Sequence, residues 1–431
     1  MKYFSTRDKS NPVSFKKAVM QGLANDGGLF MPEFIPSFSN NFWNSLNNLS
    51  FQEISFEVAS KFIDDEISKS KIHDLIEKAI SFPAPVVDLD DEIKILELFH
   101  GPTLAFKDFG AQFMAKTMEY FVQQDNAQLN ILVATSGDTG SAVANGFYGV
   151  EGINVFILYP SGKVSSIQEK QLTTLDKNIT ALEIDGTFDD CQRLVKEAFV
   201  DEELKSKLNL SSANSINIAR LIPQSFYYIN AVKQFLKEEV VISIPSGNLG
   251  NLTAGLFAKK MGAPITKFIA ATNSNKVFTD YLNTGNFSPR NSVLTYSNAM
   301  DVGNPSNLER IQYLYNFDLL QIQKDISSFS FNDEETLSAI KDLFLKYNYI
   351  IDPHGAVGYL ALKKYFENNP NPKRIGIVAE TAHASKFLDI VENAINNKVE
   401  IPNRLKIVLE KEKRSIKLDN KFNSLKEFLL Q

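Results

Sequence analysis

Between residues 93 and 380 the sequence alternates short apolar, β-rich runs with amphipathic segments of helical length, and no other feature restricts the fold as strongly. The runs are IKILELF (93–99), NILVATS (130–136), NVFILYP (154–160), ITALEID (179–185), VVISIPS (240–246), KFIAATN (267–273) and RIGIVAE (374–380). Several carry apolar side chains on both faces, as parallel strands covered by helices do. The alternation therefore predicts an α/β fold of open, mainly parallel sheets with helices on both faces. A chain of 431 residues is long enough for two or three domains.

Residues 1–90 lack the alternation and read as a mostly helical region. In FQEISFEVASKFIDDEI the residues Ile54, Val58 and Phe62 recur every fourth position and place one apolar stripe on a helix. Pro83 and Pro85 in SFPAPVVDLDD force extended backbone and mark a boundary, leaving 91–430 as the α/β region. The last thirty residues, charged and lysine-rich, read as a surface helix or tail.

A net charge of -6 gives no global attraction to nucleic acid or to an anionic membrane. The single cysteine, Cys191, excludes an intrachain disulfide framework, and the four scattered histidines have no metal-ligand spacing. No apolar run approaches the ~18 residues of a membrane span, and the start, MKYFSTRDKSNPVSF, is unlike a signal peptide. A cytoplasmic protein with a small-molecule ligand, no metal, no nucleic acid and no membrane partner is the expectation.

In open α/β sheets ligands bind beyond the carboxyl ends of the strands. Four strand-end loops here are unusually polar. Ser246, Gly247, Asn248, Leu249, Gly250 and Asn251 lie between a strand and a helix, where two glycines let successive N–H groups converge on an anion such as phosphate. The same stretch also reads as an ordinary glycine turn with Asn251 as helix cap. Neither G-x-G-x-x-G nor the Walker pattern is present, so no dinucleotide or nucleoside triphosphate is specified. Thr135, Ser136, Gly137, Asp138, Thr139 and Gly140 crowd donors at a second helix start, suited to a substrate carboxylate, although one of Asp138 and Thr139 could simply cap the helix. The third loop holds Asn214, Ser215, Asn217 and Arg220, and the fourth Thr381 and His383. Taken singly, these are common loop residues, caps and surface charges.

Lys107 lies between Phe106 and Phe109 where an apolar run gives way to a helix. It is either a solvated charge at the unfavourable end of a helix dipole or a buried amine kept near neutrality, as a Schiff-base lysine must be.

Together, ELFHGPTLAFKDFG, ATSGDTG, PSGNLGN, SANSIN followed by Arg220, and TAH occur in an order and spacing that resembles the threonine synthase family, pyridoxal-phosphate enzymes of the tryptophan-synthase-β-like fold. The resemblance runs from NPVSFKKAVMQGLANDGGLFMP to TAHASKF, almost the whole chain. It implies a fold-type II enzyme with two α/β subdomains and the active site between them. It implies pyridoxal 5'-phosphate held by Lys107 as a Schiff base, with the cofactor phosphate on Gly247, Asn248, Leu249, Gly250 and Asn251. Thr381 would meet the pyridine nitrogen. Ser136, Asp138 and Thr139 would take the amino-acid carboxylate, and Asn214, Ser215 and Arg220 the phosphate of O-phospho-L-homoserine. Leu249 and Asn251 depart from the aromatic and the acid expected of the family in this loop; the backbone cradle is unaffected. The implied reaction is O-phospho-L-homoserine and water to L-threonine and phosphate, by γ-elimination and then β-addition of water. The alternative is a β-eliminating dehydratase or phospho-lyase on a related amino acid; Arg220 speaks against a dehydratase or sulfhydrylase, since a substrate without side-chain phosphate would leave a guanidinium unpaired. A ligand-binding protein without catalysis would need no Schiff-base lysine.

Overall fold

The computed structural model describes every residue except 372. Its thirteen strands are β1 (Tyr3–Ser5), β2 (Phe30–Pro32), β3 (Val86–Asp88), β4 (Ile93–Glu97), β5 (Leu129–Ala134), β6 (Ile153–Pro160), β7 (Ile179–Asp185), β8 (Leu210–Ser212), β9 (Glu239–Pro245), β10 (Ile265–Thr272), β11 (Ile326–Ser330), β12 (Arg374–Glu380) and β13 (Ile416–Asp419). All seven apolar runs form strands. They divide between a six-stranded sheet, β11-β10-β9-β12-β4-β3, and a five-stranded one, β13-β7-β6-β5-β8. Every pairing within these two sheets is parallel except β3 with β4.

β9 shows why the runs are apolar on both faces. Val240, Ile242 and Ile244 point into one core, shared with Phe62, Phe109 and Phe257, whereas Val241 points into another with Ile95, Ile340 and Val357. On that second face Ser243 Oγ donates to the Gly358 carbonyl at 2.7 Å. The Pro353–Asn368 helix packs that closely because a Cβ at Gly358 would lie 3.0 Å from Val378.

The amino-terminal region holds the helices Phe15–Gln21, Asn40–Ser45, Phe51–Ile63 and Lys69–Ala79, and β1 and β2 form an antiparallel pair. The Phe51–Ile63 helix buries Ile54, Val58 and Phe62 and begins with a reciprocal cap between Ser50 and Glu53. Such a cap contributes about 1 kcal/mol. The carboxyl terminus is not a tail. β13 adds to the edge of β7, and the Phe422–Leu429 helix buries Leu425 and Leu429 beside Leu194. Alternating charge in SIKLDNKF hides this, because an exposed edge strand needs little apolar surface. Among the described residues no helix is long and apolar enough to cross a membrane.

Both sheets reverse strand order internally: β9 meets β12 in one, β5 meets β8 in the other. Crevices open at such reversals. The four polar loops follow these four strands, so topology gathers them into one cleft of about 1750 Å³.

Candidate active site

The nineteen-residue helix Lys107–Asp125 starts with Lys107 itself, so the amine stands at the helix mouth in the cleft. Its side chain is 14% exposed, and Nζ lies 5.0 Å from the centre of the Phe106 ring and 3.5 Å from Asp138 Oδ2. Burial lowers the Lys107 pKa; Asp138 opposes the shift, while Lys386 and Arg220 add to it. The geometry thus favours the second reading of Lys107, a sheltered amine.

Asp138 does not face the cleft as a free carboxylate. Oδ1 lies 2.6 Å from Lys386 Nζ and accepts from Gln168 Nε2 at 2.9 Å. Although burial opposes ionisation, Lys386 and Lys107 hold the carboxyl far below the usual range. The helix Asp138–Phe147 has Gly137 at its cap, at φ 145, and neither Asp138 nor Thr139 caps it. Thr135 is committed inward, its hydroxyl accepting from Gly137 and Gly140 N–H at 3.0 and 2.9 Å. Ser136 and Thr139 line the cleft.

The loop after β9 has the features of an anion cradle. Leu249 adopts the left-handed conformation, φ 61, and turns the chain into the helix Gly250–Lys260. Among the described residues, no backbone N–H of residues 247–251 reaches a protein acceptor. Such groups at a helix start suit a phosphate. A Cβ at Gly247 would lie 2.8 Å from the Ala299 carbonyl and from Met300 Cα, so only glycine lets that segment close over the loop. Asn248 fixes the loop: its Nδ2 donates to Ser215 Oγ at 2.8 Å, its Oδ1 accepts from Ser306 N–H, and its carbonyl accepts from Asn307 Nδ2 at 3.0 Å. Asn251 is not the helix cap; its Oδ1 accepts from Tyr227 and Tyr228, and its Nδ2 is buried without a partner. These features fit the phosphate of pyridoxal phosphate.

Arg220 is buried at 2% exposure in the short helix Ile218–Leu221. Nη1 donates to the Ala213 carbonyl at 2.6 Å, Nε has no partner, and the side chain lines the cleft. Burial pushes its pKa down to about 10, with Asp108 opposing, so the cation persists at neutral pH. A buried guanidinium with a free donor is costly unless an anion arrives. Asn214 and Ser215 line the same region, whereas Asn217 is structural, accepting from Ala219 N–H and donating to Val19 O.

Thr381 follows β12 into the cleft, and its carbonyl accepts from Phe106 N–H at 2.9 Å. His383 caps the Ala384–Phe387 turn by accepting from Ser385 N–H, and burial pushes its pKa down to about 4.

Four residues in and behind the walls of this cleft escape the sequence reading. Lys386 is wholly buried and also donates to Thr103 O at 3.0 Å. Asp108 accepts from Thr103 N–H and Oγ1 at 2.8 and 2.7 Å, and burial pushes it up to about 6. His354 Nδ1 lies 2.5 Å from Asp352 Oδ2 while Nε2 accepts from Ala299 N–H at 3.1 Å. This dyad is therefore a strut beneath the segment that closes over Gly247. Arg310 ties Phe30 O and Ile216 O to Asn307 Oδ1, anchoring the amino-terminal region to the loops. The signal for Lys386 was visible: like Lys107, it lies beside a phenylalanine at a helix start, in SKF.

Comparison with known proteins agrees with the geometry. Residues 2–80 match the family described as threonine synthase N terminus, 86–380 the pyridoxal-phosphate dependent enzyme family, and 355–429 the family described as threonine synthase, C-terminal. The chain is 43% identical to threonine synthase of Haemophilus influenzae over 434 residues, covering 100% of both. It superposes on the crystal structure of threonine synthase from Escherichia coli with a TM-score of 0.93 at 42% identity, covering 100% of this chain and 99% of that one. The pyridoxal-phosphate-bound threonine synthase from Brucella melitensis gives 0.94 at 34% identity, covering 100% and 98%.

Proposed function

This chain belongs to the threonine synthase family of pyridoxal-phosphate-dependent enzymes, and from that premise we propose that its cleft converts O-phospho-L-homoserine and water to L-threonine and phosphate. When bound, pyridoxal phosphate supplies the conjugated ring that accepts electrons from the substrate carbons. The observation that carries the substrate reading is the coexistence in one cleft of two anion-receiving arrangements: the free N–H groups of residues 247–251 and the partly unpaired Arg220. One serves the cofactor phosphate; the other then serves a phosphate on the substrate.

Lys107 Nζ, its pKa lowered by burial, is the amine that would carry the cofactor and move the proton at the substrate α-carbon. Asp138 holds that amine in place and, being committed to Lys386, offers the substrate carboxylate only its backbone N–H. Ser136 and Thr139 add their hydroxyls. Thr381 would present a neutral hydroxyl to the ring nitrogen and, unlike a carboxylate, would not hold that nitrogen protonated. Asn214, Ser215 and Arg220 orient the departing phosphate. A cytoplasmic setting accords with the single, buried Cys191.

The test is to assay purified holoenzyme for phosphate release and L-threonine with O-phospho-L-homoserine, O-phospho-L-serine and L-homoserine. Threonine from the first alone supports the reading. Equal turnover of L-homoserine, or keto acid in place of threonine, assigns the cleft to an eliminating relative.

A further inference from the structure

Immediately before Thr381, Glu380 lies in a cluster of acids that the reading above leaves unused. It is 1% exposed, and among the described residues no lysine or arginine pairs with it. The Tyr349 hydroxyl contacts Glu380 Oε2 and stands 2.9 Å from Glu97 Oε1. Glu97 Oε2 in turn lies 2.7 Å from His100 Nε2, on a side chain that reaches solvent. Glu380 Oε1 has a backbone partner, Asp352 N–H, at 3.4 Å.

Counting protons decides the charge state. A phenol carries one hydrogen and cannot donate to two carboxylates. For both contacts to be hydrogen bonds, one acid must itself be the donor to the phenolic oxygen. Glu97 has an imidazole and solvent to stabilise its anion; Glu380 has one long backbone contact. The proton therefore belongs on Glu380.

We propose that Glu380 is maintained as a neutral carboxylic acid that donates to Tyr349, which donates to Glu97, and that this relay positions the end of β12 against the segment leading into Lys107. That segment is stitched to the strand end by three backbone bonds: Leu98 N–H to Glu380 O at 3.0 Å, Phe106 N–H to Thr381 O at 2.9 Å and His383 N–H to Leu104 O at 3.1 Å. Glu97 and Glu380 are directly paired across β4 and β12 at the base of this stitch. Ionised together, they would repel across it.

The charged and titratable groups around Glu380 come from three sides: Glu97 at the end of β4 with His100 beyond it, Tyr349, Asp352 and His354 before and within the Pro353–Asn368 helix, and His383 after β12. Arg404, bonded to the His100 carbonyl at 2.7 Å, lies outside them. Burial first, then Asp352 and Glu97, hold the Glu380 carboxyl well above the usual carboxylate range. Glu380 is a positioning residue, and only the consequence for cofactor and substrate rests on the reading of Lys107 and Thr381.

The experiment is the infrared spectrum of the holoenzyme at pH 7.5, where Asp108, near 6, is largely ionised. Wild type should show the carbonyl stretch of an un-ionised carboxylic acid, and Glu380→Gln, whose amide can make the same bonds, should lack it. The visible absorbance of the bound cofactor should shift on alkaline titration of wild type, with that shift absent from Glu380→Gln. No such carbonyl band in wild type, or an unchanged band in Glu380→Gln, overturns the proposal; so does an alkaline shift retained in the variant. If Glu380→Gln does not fold, Tyr349→Phe decides: a displaced acid band supports the relay, an undisplaced one refutes it. Because the infrared band does not depend on Lys107, its absence in an enzyme whose cofactor Lys107 demonstrably carries defeats this proposal alone. Its presence in an enzyme whose cofactor sits elsewhere defeats only the reading of Lys107.

Discussion

Asp138 lies between two lysines, 2.6 Å from Lys386 Nζ through one oxygen and 3.5 Å from Lys107 Nζ through the other. The closer and wholly buried partner is Lys386, so the carboxylate is neutralised chiefly by the lysine that does not face the cleft. That leaves Lys107 near a carboxylate already spoken for, an arrangement that orients the amine without clamping it as an ammonium.

Replacing Lys386 with Met should therefore act on Lys107. Removing a neighbouring cation and handing Asp138 entirely to Lys107 raises the pKa of the Lys107 amine. The pH midpoint for recombination of apoprotein with pyridoxal phosphate, followed by visible absorbance, should move upward. Stability should fall by about 3–5 kcal/mol in urea, as when one partner of a buried pair is lost. An unmoved midpoint would show that Lys386 serves packing alone.

Lys107→Ala should fold, because Asp138 retains Lys386 and Gln168. The borohydride-reducible visible band should vanish, and turnover should drop on the order of 10³-fold or more, as expected when the proton-moving group is removed. Near-normal turnover without added amine would contradict the role given to Lys107.

Much of this architecture was legible because the physics is local. A strand buried on both faces must be apolar throughout, so all seven interior strands stood out; β8 and β11, LSS and ISSFS, did not, because short edge strands carry little burial signal. Polar density at strand ends exposed the loops around Asn248, Asp138, Arg220 and Thr381. What could not be read was partnership at long sequence separation. Nothing in the chain announces that Lys386 reaches Asp138, or that Asn307 braces Asn248. The role of Asp138 shows the consequence: as a sequence it is one polar residue among several, and only its two lysines reveal that its carboxylate is already occupied.

Glu380→Gln should change how stability depends on pH. In the unfolded chain a glutamate ionises near its ordinary value, about 4.3. In the folded protein burial keeps the proton bound to higher pH. Between those two values the folded state holds more protons than the unfolded one, so wild-type stability falls as pH rises, by about 1.4 kcal/mol per pH unit from this group. The glutamine variant lacks that term. Urea unfolding at intervals from pH 5 to 8 should show a smaller decline in Glu380→Gln than in wild type; parallel declines would exclude a raised Glu380 pKa.

Gly110→Ala tests whether Arg220 must be seated closely against the Lys107 helix. A Cβ at Gly110 would lie 2.8 Å from the Arg220 carbonyl and 3.1 Å from its Nε, so the backbone or the guanidinium must shift. Affinity for O-phospho-L-homoserine should weaken, read as a higher KM with the cofactor spectrum intact. An unaltered KM would mean that Arg220 tolerates displacement and is not the phosphate contact.

The phosphate contact proposed for Arg220 distinguishes O-phospho-L-homoserine from amino acids without a side-chain phosphate. The Arg220 guanidinium is fixed by one bond to Ala213 O and keeps Nε free, a planar fork able to meet two phosphate oxygens, where lysine would offer a point charge. Arg220→Lys should therefore not behave as a conservative change. Arg220→Ala removes a charge-assisted contact in a desolvated place, worth about 2–4 kcal/mol, or about 30- to 1000-fold in kcat/KM. Cofactor absorbance should survive, because the cofactor phosphate is proposed to lie on residues 247–251 and not on Arg220. L-Homoserine, which has no phosphate to bind, should react as poorly with the variant as with the parent. The deciding quantity is the ratio of kcat/KM for O-phospho-L-homoserine to that for L-homoserine: it collapses in Arg220→Ala if the guanidinium reads the phosphate, and stays constant if the partly unpaired cation serves only the fold.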